Sequence, residues 1–393
     1  MYYINDNPFV KYLVFLNIYL SEGLHLAIAT VLIPIYLLEK NFTPELTTFI
    51  AGLVMTPWVL KFIFGWIVDH YANEGRKYFA LYGGLSSAIT LIILAFIEPS
   101  TLLIPFIILL FLTHCGIGFL DVSSDALAIE STKIKERGKI NGTMMAGLFT
   151  GMALGSSFFS ILAKKIGYDG VFIIAGICIL ILLLPLILTK EKQRKNNNQQ
   201  IGKLLIKEFK KRTIRYMIIF LPILSLNSGI ITFAIPIFMK IKLILNISQI
   251  GLLTTIFIIG KIIGSLVGGL LADKWGRKKT IITMISMTIF FSTLLIVVDT
   301  WQLMITFYGI LGVLNGGLFT SVLAVCMDLT NPRLGATQFS ILISLLNTGE
   351  LSGEIISGML ISHLGFNKVF LYSAWTLGPT LLILHFIEFK KPR

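Results

Sequence analysis

Apolar residues in this 393-residue chain gather into twelve long runs, at 11–38, 46–68, 78–97, 102–129, 140–163, 170–189, 214–239, 247–272, 280–298, 302–327, 337–362 and 366–388. A helix that crosses a bilayer needs about 20 predominantly apolar residues. Backbone N–H and C=O groups find no partners in lipid, so runs of this length must be helical. The connections are short, with one exception. Residues 190–213 are polar, basic and rich in Asn and Gln, and they fall at the midpoint. Within them, Ile201 to Phe209 has the pattern of a short amphipathic helix on a membrane surface. The pattern predicts an all-α polytopic membrane protein with twelve transmembrane helices. Residues 1–189 form one six-helix bundle, 190–213 a basic linker and 214–393 a second six-helix bundle.

Lys and Arg set the orientation of such a chain. Of the 33, 25 lie at the N-terminus, the C-terminus and the connections after even-numbered runs, and 6 lie on the other side. Lys61 and Lys261 sit inside runs. The asymmetry predicts a multi-pass protein of the cell membrane with both termini and the central linker in the cytoplasm. The net charge of +13 is then a topology signal, reinforced by anionic lipid head groups, and not a nucleic-acid footprint. Composition agrees: 55% hydrophobic and 13% charged residues leave about half the charge that a soluble surface needs. Cys115, Cys178 and Cys326 lie inside apolar runs and read as packing residues, not a disulfide or metal framework. The first run lacks a small-residue cleavage site and reads as a span, not a signal peptide.

The two halves repeat. Gly65-Trp-Ile-Val-Asp69 is followed by Gly75-Arg76-Lys77, and Gly269-Leu-Leu-Ala-Asp273 by Gly276-Arg277-Lys278. At an offset of 198, Gly151, Gly155, Gly167, Val171 and Phe172 match Gly349, Gly353, Gly365, Val369 and Phe370. Six spans per half is an even number, so both halves enter the membrane the same way, as parallel repeats.

The segment from Gly269 through Asp273 to Gly276-Arg277-Lys278-Lys279 resembles the G-x-x-x-D-x-x-G-R-[RK] loop signature of the major facilitator superfamily. The first copy departs from it, with five residues between Asp69 and Gly75. The resemblance implies two six-helix bundles around a central cavity. It also implies a cytoplasmic gate made by Gly65, Asp69 and Arg76 with Gly269, Asp273, Gly276 and Arg277. Pro57-Trp58-Val-Leu-Lys61-Phe-Ile-Phe-Gly65 and Asp121-Val-Ser-Ser-Asp125-Ala126 are similar to segments of the branch containing muropeptide permeases and acetyl-CoA and folate–biopterin transporters. Gly147, Gly151 and Gly155 resemble the glycine face of the superfamily's antiporters, but Met152 stands where that motif has proline; tight helix packing explains the face equally. The superfamily's span-4 arginine is replaced by Leu112, with His114 two residues on.

An ionisable group at membrane depth costs about 2.5–3.5 kcal/mol, so it faces a cavity or a partner. The candidates for binding solute or protons are Glu22, His25, Lys61, Asp121, Asp125, Lys261, Glu350 and Glu354. Glu22 and His25 lie three apart, and Asp121 and Asp125, like Glu350 and Glu354, lie four apart, so each pair shares a helix face. Two roles fit them: a polar cavity whose carboxylates take up and release protons, or structural ion pairs. Tyr36 and Trp58 offer rings for stacking on a solute.

These features predict a secondary active transporter that moves a small solute by alternating access, with a proton as the expected coupling ion and a monomer as the expected unit. The alternative is a non-transporting scaffold or assembly factor on the same fold. A remote alternative is an intramembrane prenyltransferase-like enzyme, with Asp121/Asp125 and Glu350/Glu354 as magnesium–diphosphate sites. The duplication and the number of spans argue against it. Nucleophilic triad, zinc and P-loop patterns are absent from the sequence, so no cofactor, metal or enzymatic activity is expected.

Overall fold

The computed structural model describes residues 2–4, 7–42, 46, 50, 53–54, 56–191, 201–245, 247–387 and 389. The chain divides into two compact units. One comprises Met1–Thr132, Ala146–Ile201 and Asn331–Ser340; the other comprises Lys133–Met145, Gly202–Thr330 and Ile341–Arg393. The units therefore follow the sequence halves except at two short segments, where each half contributes the start of one helix to the other unit.

The first unit opens with strand β1 (Tyr2–Tyr3), then α1 (Pro8–Ala27), whose start the sequence dictates. The Asn7 side chain accepts from the N–H groups of Phe9 at 2.9 Å and Val10 at 3.3 Å, and Pro8 fills the first helical position, where an N–H would have no partner. A π-helical turn over Ile28–Leu32 leads to α2 (Ile33–Glu39). The run at 46–68 lies partly outside the described residues. Its described end forms α3 (Thr56–Val59) and α4 (Lys61–His70), with Leu60 out of helical geometry between them. Next come α5 (Arg76–Leu94) and α6 (Leu103–Ser131), then α7 (Arg137–Leu154), whose first residues belong to the second unit. A π turn over Gly155–Phe159 joins α7 to α8 (Ser160–Leu182), and α9 (Leu184–Ile187) and strand β2 (Thr189–Lys190) complete the half. β2 pairs in parallel with β1, an element with no signal in the apolar pattern.

The glycine face of α7 packs on α1. A Cβ on Gly151 would lie 2.2 Å from the Leu20 carbonyl, and one on Gly147 2.6 Å from that of Leu16, so these glycines set the helix spacing. Tyr36 stacks on Tyr168 at 4.5 Å and is 3% exposed, so its ring is already covered and the expectation that it offers a stacking surface is corrected.

The second unit holds α10 (Ile201–Phe209), the helix anticipated in the linker, followed by α11 (Arg212–Ile241), α12 (Ile247–Lys274), α13 (Arg277–Leu294), α14 (Trp301–Leu329), α15 (Gly335–Leu364), α16 (Phe366–Thr376) and α17 (Gly378–Phe386). The first residues of α15 belong to the first unit. Phe238, Phe257, Tyr308, Phe366 and Phe370 anchor its core. The backbone repeats with the sequence. Gly75 and Gly276, which open α5 and α13, have φ of 97° and 90°; Gly167 and Gly365 have 77° and 75°. A side chain at any of the four would strain the backbone.

Among the described residues, nine helical stretches are long and apolar enough to cross a membrane. They account for every predicted run except 46–68, 140–163 and 337–362. The first is the broken one, the second is interrupted by its π turn, and the third carries Glu350 and Glu354. The outer surface is apolar: Phe96 is 74% exposed, and Ile104 and Leu382 71% each, as befits side chains solvated by lipid.

Candidate functional site

Two clusters of polar side chains lie inside the helices. In the first unit, α1 turns Tyr19, Glu22 and His25 to one face by their three-residue spacing. α6 brings His114, Asp121 and Asp125 to one face by spacings of seven and four. Trp58 and Lys61, three apart across the Leu60 break, complete the group. The Lys61 ammonium bonds Asp121 Oδ2 at 2.9 Å and lies 5.8 Å from the Trp58 ring centroid. The Tyr19 hydroxyl bonds Asp125 Oδ1 and lies 3.4 Å from Asp121 Oδ1. Glu22 lies close enough for the charges of Asp121, Lys61 and Asp125 to act on it. Tyr19, Glu22, His25, Lys61, His114, Asp121 and Asp125 are each at most 4% exposed.

The histidines form their own pair. Trp58 Nε1 donates to His114 Nδ1 at 3.2 Å, so that nitrogen carries no proton in the neutral ring. His25 Nε2 lies 3.3 Å from the same atom, whose single in-plane lone pair the Trp58 N–H already engages. The rings meet edge to face with centroids 4.6 Å apart.

The second unit brings together residues from four helices. Ser228 of α11 donates to Glu350 Oε1 of α15 at 3.3 Å, and Asn315 of α14 donates to Ser228 at 3.2 Å. Lys261 of α12 lies 5.0 Å from the Phe257 ring centroid and within electrostatic reach of Glu350. The side chain of Glu354 lies outside the described residues. Among the described residues, no group of three or more His, Cys, Asp and Glu is placed to hold a metal ion.

The loop residues build a third feature, once in each unit. In the first, Arg76 pairs with Asp69 at 2.8 Å and Glu130 at 3.3 Å and donates to the carbonyls of Ala126 and Pro332, both at 3.0 Å. Asp69 accepts the N–H groups of Ala336 at 3.2 Å and Thr337 at 2.8 Å, in the first turn of α15. In the second, Arg277 pairs with Asp273 and with Asp328 at 3.0 Å, and donates to the Ile134 carbonyl at 2.7 Å. Asp273 accepts the N–H groups of Gly138 at 3.0 Å and Lys139 at 2.7 Å, in the first turn of α7. The partners Glu130 and Asp328, Ile134 and Pro332, Gly138 and Ala336, and Lys139 and Thr337 are all separated by 198 residues. A carboxylate at a helix N-terminus satisfies otherwise unpaired N–H groups and complements the dipole.

Gly65 and Gly269 permit both contacts. A Cβ on Gly65 would lie 2.7 Å from the Ala336 carbonyl oxygen, and one on Gly269 2.3 Å from that of Gly138. Glu191 adds an anion at the start of α5. Its carboxylate takes the N–H groups of Arg76 at 3.2 Å and Lys77 at 2.8 Å, while burial pushes the carboxyl up against the pull of those donors.

A profile of the Major Facilitator Superfamily matches residues 15–239 and 217–393. The chain belongs to this family. Among its relatives, the "Multidrug resistance protein MdtG" of Proteus mirabilis is 23% identical over 332 residues, covering 82% of this chain and 80% of the relative. The "Putative transporter AmpG 1" of Rickettsia conorii is 26% identical over 396 residues, covering 90% and 93%. Two solved structures share the fold. The E. coli fucose:proton symporter FucP has a TM-score of 0.76 at 10% identity, covering 97% of this chain and 99% of its own. The human organic anion transporter MFSD10 has a TM-score of 0.75 at 13%, covering 96% and 100%. The doubled loop bracket is thus set in a chain of two major facilitator repeats that spans a membrane.

The sequence reading named Glu22, His25, Lys61, Asp121 and Asp125 separately, and the fold gathers all five. It also named Lys261 and Glu350, which share the second cluster. It missed Tyr19, Ser228 and Asn315, and the bracket partners Glu130, Arg137 and Asp328. Arg137 lies 3.4 Å from Asp328 and donates to the Met327 carbonyl. The 198-residue offset links Glu130 to Asp328, and three-residue spacing links Tyr19 to Glu22, so both signals were present.

Proposed function

We propose that this major facilitator protein is a proton-coupled secondary transporter that carries a small anionic or amphoteric solute by alternating access. In this reading each sequence half, 1–189 and 214–393, acts as one bundle joined by the 190–213 linker, in the cell membrane, as a monomer with both termini cytoplasmic. The observation that carries it is the buried Tyr19–Asp125–Asp121–Lys61 chain with Glu22 beside it. A scaffold has no use for three carboxylates and an ammonium at membrane depth, because each is expensive there. The two lysines suit a negatively charged group on the solute, and Glu350 with Asn315 and Ser228 suits a donor-bearing one. The brackets at Asp69–Arg76 and Asp273–Arg277 act as the gate. Their ion pairs and helix-terminal hydrogen bonds must break when the opposite side closes.

A thermal-shift screen of purified protein against anionic and zwitterionic metabolites at two pH values tests this. A true ligand at about a hundred times its Kd adds about 2.7 kcal/mol of stability by mass action. One chemical class is expected to raise the melting temperature, and Lys61→Ala is expected to lose that shift. In proteoliposomes holding the ligand so identified, Glu350→Gln is expected to abolish proton-driven uptake while the protein still reconstitutes. Normal coupled uptake by Glu350→Gln would remove Glu350 from the mechanism, and a screen in which no class shifts the wild type would count against transport.

A further inference from the structure

The charges of the first cluster do not balance. Three carboxylates, Glu22, Asp121 and Asp125, share one ammonium, Lys61, and none of the four is more than 4% exposed. Lys61 is committed to Asp121 at 2.9 Å. Asp125 has the neutral hydroxyl of Tyr19 beside it, which has a single proton to give. Glu22 Oε2 is buried with no hydrogen-bond partner among the described residues. A buried carboxylate without a cation or sufficient donors takes up a proton instead of remaining charged.

The groups facing these acids are Tyr19 and His25 on α1, Trp58 on α3, Lys61 on α4 and His114 on α6. The imidazoles do not supply the missing positive charge. A proton on His114 Nδ1 would set it against the N–H of Trp58. One on His25 Nδ1 would be a buried donor with no acceptor among the described residues.

We infer that the cluster holds two exchangeable protons, one on Glu22 and one on Asp125, while Asp121 stays ionised against Lys61. The hydrogen bonds then run in one direction. The Asp125 carboxyl donates to the Tyr19 oxygen, the Tyr19 hydroxyl turns to Asp121 Oδ1 at 3.4 Å, and Lys61 closes the chain on Asp121 Oδ2. In the second cluster the described carboxylate, Glu350, lies within electrostatic reach of the Lys261 ammonium. The inference rests on the proposed transport function only for its use, namely that these two protons serve coupling.

Infrared spectroscopy of the full chain in nanodiscs, at neutral pH and without sodium, tests it without a solute. Protonated carboxyls give a carbonyl stretch, distinct from that of carboxylates, that shifts in D2O. Glu22→Gln and Asp125→Asn are each expected to remove one such band, and the double variant both. Carboxyl-13C labelling of all aspartates in the wild-type protein makes the same assignment with no substitution: one band is expected to shift and the other to stay. Spectra in which either variant leaves the protonated-carboxyl region unchanged, or in which the labelled wild type shows no shifted band, would overturn the inference. Two bands with no solute transport would defeat the proposed function and leave the two-proton site standing.

Discussion

Arg76→Met is expected to lower stability by about 3–5 kcal/mol, the range for removing one partner of a buried ion pair. Arg76 is 1% exposed and Asp69 0%, so the substitution leaves a carboxylate with no counter-charge and no water. Asp69 would keep its two N–H donors at the start of α15, which soften the loss but do not neutralise the charge. Glu130 and the carbonyls of Ala126 and Pro332 lose a donor at the same time. The equivalent change in the second unit, Arg277→Met, is expected to cost less. Asp328 there retains Arg137 at 3.4 Å, and Asp273 retains the N–H groups of Gly138 and Lys139. Melting temperatures of the two variants in detergent make the comparison. Equal losses, or a larger one for Arg277→Met, would show that Arg137 does not share the burden. The double variant Arg76→Met/Asp69→Leu is expected to recover much of the loss, because replacing a whole buried pair by apolar groups is often close to neutral.

Gly269→Ala is expected to open the second bracket with a loss of about 1–3 kcal/mol, the range for overpacking a close contact. The added methyl would meet the Gly138 carbonyl oxygen at 2.3 Å. A backbone oxygen in a helix does not swing aside as a side chain does. α7 and α12 must therefore separate there, and the separation draws Asp273 away from Gly138 and Lys139. Cys326 is a native reporter. It is fully buried, one residue from Met327, whose carbonyl Arg137 holds. With Cys115 and Cys178 changed to serine, labelling of Cys326 by a water-soluble maleimide is expected to rise several-fold on Gly269→Ala. Labelling as slow as in the parent would mean that the bracket tolerates the methyl. Gly65→Ala, with 2.7 Å to the Ala336 oxygen, is expected to act in the same direction and less strongly.

Much of this was legible in the sequence because the bilayer restricts what a chain can do. Long apolar runs had to be helices, and an ionisable residue inside one had to have a reason. Glu22, Lys61 and Asp121 stand out in their runs on that argument alone. Tyr19, Trp58 and His114 do not, because a tyrosine, tryptophan or histidine among apolar neighbours looks the same whether it packs or bonds a charge. Which carboxylate Lys61 chooses was also out of reach, since α1, α4 and α6 must first be brought together. The loop signature exposed Asp69, Arg76, Asp273 and Arg277. It did not show that each aspartate caps a helix from the other half of the sequence. That follows from the 198-residue offset only once one copy of the contact is known. The break at Leu60 left no trace in hydropathy, because its residues stay apolar, and the π turn at Gly155–Phe159, with Ser156 and Ser157, is too short to divide its run.

Tyr2 and Tyr3 lie alongside Thr189 and Lys190, with the Ile4 N–H reaching the Lys190 carbonyl at 3.0 Å. The first half therefore starts and finishes at one spot, like a purse drawn shut by its own string. A fusion partner or affinity tag placed ahead of Tyr2 has to leave past that knot. The same closure makes the linker the natural place to cut the polypeptide into two co-expressed pieces, because the first piece already ties off its own ends.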